Sequence, residues 1–156
     1  MTAGELDFLV SVGILRPQAD DGRGYELAEL TALPQPDVIG ALAEMAERRL
    51  PATTRGIAFA DGSVNAQLGY ALARRLSVPL CILYDREGVG HLEGDAPSEG
   101  TLSFVSYTLE RPWLVAEFAA LCEQRGVTVG SVVAIVDRLV HQTALPVQSV
   151  FCVARY

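Results

Sequence analysis

From Gly56 onward the chain alternates short, almost uninterrupted apolar runs with stretches of helical period, and this alternation restricts its fold more than any other feature. The runs are Gly56–Ala60 (GIAFA), Val78–Tyr84 (VPLCILY), Thr101–Thr108, Val127–Asp137 and Pro146–Ala154. Between them, Ser63–Leu76 sets Val64, Leu68, Leu72 and Leu76 on one helical face, and Pro112–Gly126 reads as a second helix. Strands that are apolar on both sides and separated by helices belong to a parallel sheet covered on both faces. The expected fold class is therefore α/β, a central and mostly parallel sheet flanked by helices.

The first fifty residues are less regular. Gly4–Val12 has helical spacing and stops at Gly13, Arg16–Gly24 is a polar turn, and Tyr25–Leu33 is a short strand or extended segment. Pro34 and Pro36 introduce Asp37, the expected N-cap of a helix reaching Leu50 with Val38, Ile39, Leu42, Met45 and Ala46 on its apolar face. Asp85–Gly100 reads as a polar, glycine-rich loop. Loops longer than about 12–15 residues in compact domains are usually functional lids or disordered, and this one reads as a remnant or working lid or as a plain surface loop. The chain of 156 residues suits one domain, residues 1–156, with an N-terminal hood-like segment (1–50) set against an α/β core (56–156).

Charge excludes some partners. The net charge is -7, and the 12 Lys and Arg residues are scattered, so neither nucleic acid nor an anionic membrane is an expected partner. Cys81, Cys122 and Cys152 are far apart in apolar segments, which fits buried thiols in a reducing compartment better than disulfides or zinc. The opening MTAGELDFLV does not read as a signal peptide, and no apolar run reaches the ~18–20 residues of a membrane span, so a cytoplasmic location is expected. There is no P-loop, no G-x-G-x-x-G, no clustered metal ligands and no elbow motif around Ser63 or Ser106.

The order of elements, together with several motifs, resembles the orotate phosphoribosyltransferase family, which has the type I phosphoribosyltransferase fold. The N-terminal counterpart is VGILRPQADDGRGYELAEL followed by PQPDVIGALAEMAE. IAFADGSVNAQLGYALARRL resembles the family's strand, pyrophosphate-holding loop and alanine-rich helix, which places Asp61, Gly62 and Ser63 at the loop position. YDREGVGHLEG resembles its flexible catalytic loop, with Arg86, Glu87, Gly90 and His91 kept in spacing, and FAALCEQRGVTVGSVVAIVDR resembles its last helix and strand.

Two of these motifs depart from the family. Its ribose-phosphate motif is an apolar strand, two adjacent acids and a Thr-Thr-Gly-Gly-Ser-like loop. Here LSFVSYTLERPWL puts Ser106 and Tyr107 at the acids and Glu110, Arg111, Pro112, Trp113 and Leu114 at the loop. Neither Ser nor Tyr carries a fixed negative charge near pH 7. The loop has no glycine, Pro112 has no N–H, and Glu110 repels anions. In the catalytic-loop counterpart, Asp85 and Val89 stand where the family has cations. A like charge near a polyanion costs about 1–4 kcal/mol at effective dielectrics of 80 to 20.

The resemblance therefore implies a phosphoribosyltransferase-like homodimer that has lost transfer from phosphoribosyl pyrophosphate and serves as a binding or regulatory module. Its ligand would be a nucleobase, a nucleotide or none. No cofactor is expected, and magnesium only if transfer is retained. The alternatives are a divergent transferase using Arg86, Glu87 and His91 as lid residues, or a structural partner of an active paralogue held by Pro112–Leu114. Several residues carry two readings. His91 is a general acid or a solvated histidine. Asp61 and Ser63 bind an anion or simply cap a helix. Arg111 is a replacement cation or a partner of Glu110. Trp113 fills the emptied phosphate pocket, packs at an interface or stacks on a base. Arg23 and Tyr25 touch a base or serve the core.

Overall fold

Helix α1, Ala3–Ser11, begins at a reciprocal capping box: the Thr2 hydroxyl accepts from the Glu5 N–H (3.2 Å), and the Thr2 N–H donates to the Glu5 carboxylate (2.8 Å). A two-stranded antiparallel ribbon follows, β1 (Leu15–Pro17) and β2 (Tyr25–Leu27), and then α2 (Pro36–Glu47). The computed structural model describes residues 1–18, 24–28, 34–138, 145 and 147–152.

The remaining elements build one sheet with its helices: β3 (Thr54–Ala60), α3 (Ser63–Leu76), β4 (Leu80–Arg86), β5 (Val89–Gly94), β6 (Thr101–Leu109), α4 (Pro112–Gln124), β7 (Val129–Asp137) and β8 (Val147–Cys152). The strand order is β5-β4-β3-β6-β7-β8, parallel throughout except for β5, which runs antiparallel to β4 at the edge. The expected α/β class with a mostly parallel sheet is what the chain adopts.

Strand alternation sends side chains to two cores. Val105 and Tyr107 of β6 join Leu9, Leu42, Leu68 and Leu72 of the first three helices, whereas Leu102 and Phe104 join Val115, Phe118 and Cys122 of α4. Helices α1–α3 thus cover one face and α4 the other. Gly69 lets α3 lie close on β3, because a Cβ there would come within 2.7 Å of the Phe59 ring. A buried ion pair ties the N-terminal segment to the far edge of the sheet. Arg49 holds both Glu5 carboxylate oxygens at 3.0 Å and also donates to the carbonyls of Met45 (2.8 Å) and Ser149 (3.1 Å). Among the described residues no helix is long and apolar enough to cross a membrane.

The largest correction concerns Asp85–Gly100, which is not a loop. β4 continues through Arg86, turns at Glu87 and Gly88, and returns as β5, so that irregular chain is confined to the two turn residues and to 95–100. Glu87 (φ 56°) and Gly88 (φ 80°) both occupy the left-handed region of a type I′ turn, the two-residue connection whose twist matches a hairpin. The Asp85 carboxylate accepts from the Gly88 N–H (2.9 Å) and secures it. Only Leu92 of β5 is buried, so the strand lacks the apolar alternation that would have announced it.

Other differences are smaller. Arg16 and Pro17, expected at the start of a polar turn, belong with Leu15 to a short strand. Gln35 rather than Asp37 caps α2, because Pro36 already has a helix-compatible φ at the first helical position. Cys152 is exposed at the end of the edge strand β8, unlike the buried thiols Cys81 and Cys122. Tyr25 packs edge-on against Phe151, with ring centroids 6.4 Å apart, which is the core reading of that residue. Arg23, residues 29–33, Pro146 and Ala154 lie outside the described residues.

Candidate functional site

The strand order reverses its sense at β3. The chain leaves β3 through α3 to reach β4 on one side, while β6 pairs on the other. In open α/β sheets a crevice forms beyond the carboxyl ends of the strands at such a point. Here it is a cleft of about 490 Å³ lined by Ala60 and Asp61 after β3, Asn65 of α3, Leu83–Asp85 of β4, Ser106 and Thr108 of β6, and Glu110, Arg111, Trp113 and Leu114 where α4 begins. Two helices thus start at its rim.

Neither start is built like an anion cradle. α3 begins at Gly62 (φ 137°) with no side-chain cap, so the expected Asp61 or Ser63 cap is absent, because the glycine itself occupies the cap position. α4 begins at Arg111 with Pro112 in its first turn, again without a side-chain cap. The positive end of each helix dipole does face this region, but the charged side chains around it are mostly acidic. Asp61, Asp85 and Glu110 line the cleft against the single guanidinium of Arg111. Glu110 pairs with Arg138 (2.6 Å), not with Arg111 as the sequence suggests, because Arg138 leaves the neighbouring strand β7 beside it. Arg111 sits instead over the Trp113 ring, 5.9 Å from its centroid. Trp113 is 44% exposed and forms part of the wall, so it does not fill the cleft.

The two residues at the position of the family's ribose-binding acids separate. Ser106 lines the cleft, but its hydroxyl donates to the Thr108 carbonyl (2.8 Å). Tyr107, the next residue on the strand, faces the opposite core, where its hydroxyl is buried without a partner among the described residues and burial pushes the phenol up to about 12. Of the expected lid residues, Arg86 and Glu87 lie at the hairpin tip. His91 stacks on Tyr84 with ring centroids 5.4 Å apart. None of the three lines the cleft.

Asn65 and Tyr84 belong to the site although neither stands out in the sequence. Asn65 accepts from the Tyr107 N–H (2.8 Å) through its side-chain oxygen, linking the first turn of α3 to β6. Only that three-dimensional pairing distinguishes it from any polar residue in a first helical turn. Replacing Asn65 with alanine leaves a partly buried backbone donor unpaired, and thermal unfolding is expected to show a loss of about 1–3 kcal/mol.

Magnesium accompanies the family's donor. Among the described residues no group of three or more His, Cys, Asp or Glu is placed to hold a metal ion, and Ser106 and Tyr107 supply no carboxylate.

No protein-family model and no curated protein sequence matches the chain. Solved structures do. The chain is similar to the orotate phosphoribosyltransferase of Aeropyrum pernix (18% identity, TM-score 0.69, covering 94% of this chain and 92% of that one). It is also similar to the adenine phosphoribosyltransferase of Rhodothermus marinus (14%, 0.70, 97% and 100%). Against the UMP synthase of Leishmania donovani (16%, 0.67) it covers 96% of its own length but only 36% of that chain. Neighbours named for two different bases, at such identities, speak to architecture and not to acceptor. The chain has the type I phosphoribosyltransferase fold.

Proposed function

We propose that this protein has lost phosphoribosyl pyrophosphate-dependent transfer and acts as a binding or regulatory module built on the cleft at the ends of β3, β4 and β6. The observation that carries this reading is the cleft's charge: Asp61 and Asp85 line it with the guanidinium of Arg111, and the third carboxylate, Glu110, is already paired with Arg138, so no cation is in excess at the place where the resembling family takes a polyanion. The glycine-free start of α4 and the hairpin in place of a long loop support it from independent parts of the chain. A volume of about 490 Å³ with Tyr84 and Trp113 in its wall suits a flat, weakly charged molecule such as a nucleobase better than a nucleotide. The exposed Trp113 also gives the reading of a structural partner a point of attachment.

The test is a thermal-shift series with donor and magnesium, nucleobases and nucleotides, followed by assays for pyrophosphate release with orotate and adenine. The expected outcome is no shift and no release with the donor, and a shift with at least one base. Ligand at about 100 times its Kd stabilises by ~2.7 kcal/mol, which such a scan resolves. Donor-dependent stabilisation together with pyrophosphate release would sink the proposal and establish the divergent transferase.

A further inference from the structure

β5 forms an edge of the six-stranded sheet, and no described segment pairs with its outer side. In a two-residue hairpin the residues flanking the turn, here Arg86 and Val89, form a hydrogen-bonded pair. Alternation along the ladder makes Tyr84–His91 and Ile82–Glu93 the next bonded pairs. The N–H and C=O groups of Gly90, Leu92 and Gly94 therefore point away from β4. The Gly94 carbonyl accepts from Arg125 at the end of α4 (3.5 Å). Gly90 and Leu92 keep their backbone groups turned outward with no partner among the described residues. Proline, lysine and bulges are common means of blunting an edge, and VGHLEG has none of them.

Carboxylates flank this edge on both faces. Val89, His91 and Glu93 share one face and are exposed, whereas Leu92 turns into the core beneath α4. The Tyr84 hydroxyl hydrogen-bonds Glu93 and fixes its position. On the α4 face the Glu117 carboxylate rests against Gly90, where a Cβ would collide with Glu117 Oε1. Among the described residues neither Glu93 nor Glu117 has an ion-pair partner. From Asp85 to Asp95 the hairpin carries four carboxylates and one guanidinium, Arg86 at its tip.

We propose that β5 is a docking edge for an extended, basic segment of another protein, which adds to the sheet as a further strand. Main-chain hydrogen bonds to Gly90 and Leu92 supply the pairing, and the two carboxylates supply the choice of partner. Glu117 sits at Gly90, three residues from Glu93, a separation of about 10 Å at the rise of a strand. Because side chains alternate, positions three apart lie on opposite faces, as these carboxylates do. A guest strand alternates in the same way, so it meets both when its basic residues stand three positions apart. Arg86 at the tip and Arg125 at the far end confine the guest's cations to the span between them. The same acidity opposes a second copy as occupant, since pairing two of these hairpins doubles the excess of carboxylates along one edge. Docking here is independent of what the cleft binds.

The test is fluorescence anisotropy of the full chain with the labelled, end-capped peptide Thr-Arg-Val-Thr-Lys-Val, whose cations are three apart. It is expected to bind with a Kd of about 10–100 µM in about 50 mM salt. The isomer Thr-Arg-Val-Lys-Thr-Val has the same charge but sets both cations on one face, and should bind about fivefold more weakly. Glu93→Lys should weaken the first peptide about tenfold and Glu117→Gln about threefold, with circular dichroism checking that each variant is folded. Hydrogen exchange read by NMR supplies the backbone readout: saturating peptide should slow exchange of the Gly90 and Leu92 N–H groups about tenfold. An isomer that binds as tightly, variants that bind like wild type, or no added protection at those two N–H groups would each overturn the proposal. So would protection of the same groups that rises with chain concentration in the absence of peptide, because the occupant would then be a second copy.

Discussion

Replacing Arg49 with alanine is expected to destabilise the fold by about 3–5 kcal/mol, the cost of stranding a buried charge rather than the worth of a salt bridge. The Glu5 and Arg49 side chains are 7% and 15% exposed, and among the described residues the guanidinium is the only group that meets both Glu5 oxygens. The same substitution frees the carbonyls of Met45 and Ser149, so α1, α2 and β8 lose their shared anchor at once. Acid provides a second readout. The Arg49 guanidinium, opposed by desolvation and aided by the Thr2 N–H, holds the Glu5 carboxyl down at about 2 from its ordinary 4.5. A carboxyl depressed on folding contributes stability that is complete above its unfolded value and is lost as the pH falls toward the folded one. Wild type should therefore lose stability between pH 4.5 and 2, and Arg49→Ala should lose less of it over that interval. Urea titrations at neutral and acid pH measure both effects. A neutral-pH loss below about 1 kcal/mol would place the pair among ordinary surface bridges and reject this account.

Truncating Phe118 to alanine is expected to cost about 3–5 kcal/mol through lost burial and the cavity left behind. Phe118 is fully buried and lies against Phe104 of β6, with ring centroids 5.2 Å apart and planes tilted by 39°. It seats α4 on the sheet, and α4 brings Trp113 and Leu114 to the cleft. The variant should therefore lose the base-induced thermal shift proposed above as well as stability, whereas Asn65→Ala acts from the α3 side. If a folded Phe118→Ala variant kept wild-type unfolding energy, α4 would have to be held by contacts other than this ring pair.

The sheet was readable because buried parallel strands leave long apolar runs, and β3, β4, β6 and β7 each do so. β5 was not, since its one buried residue, Leu92, gives no period to detect, and the glycines and charges around it look like those of a loop. At the site, the absence of a phosphate cradle at Glu110–Trp113 was visible as missing glycines. Partnerships across the fold were not visible. Nothing in the order of residues says that Glu110 meets Arg138, that Arg111 leans on Trp113, or that Tyr107 turns its hydroxyl into the opposite core. These depend on which strands lie side by side and on which face each residue points to.

The two-residue turn at Glu87–Gly88 has a kinetic consequence. A hairpin whose tip is closed by the Asp85–Gly88 hydrogen bond has no slack to fold down over the cleft beside it. Among the described residues this hairpin leaves the cleft open, so a molecule held there as proposed would keep a face in contact with water. An open site of that kind would suit the proposed reversible binding better than the sheltering of a reactive intermediate from hydrolysis.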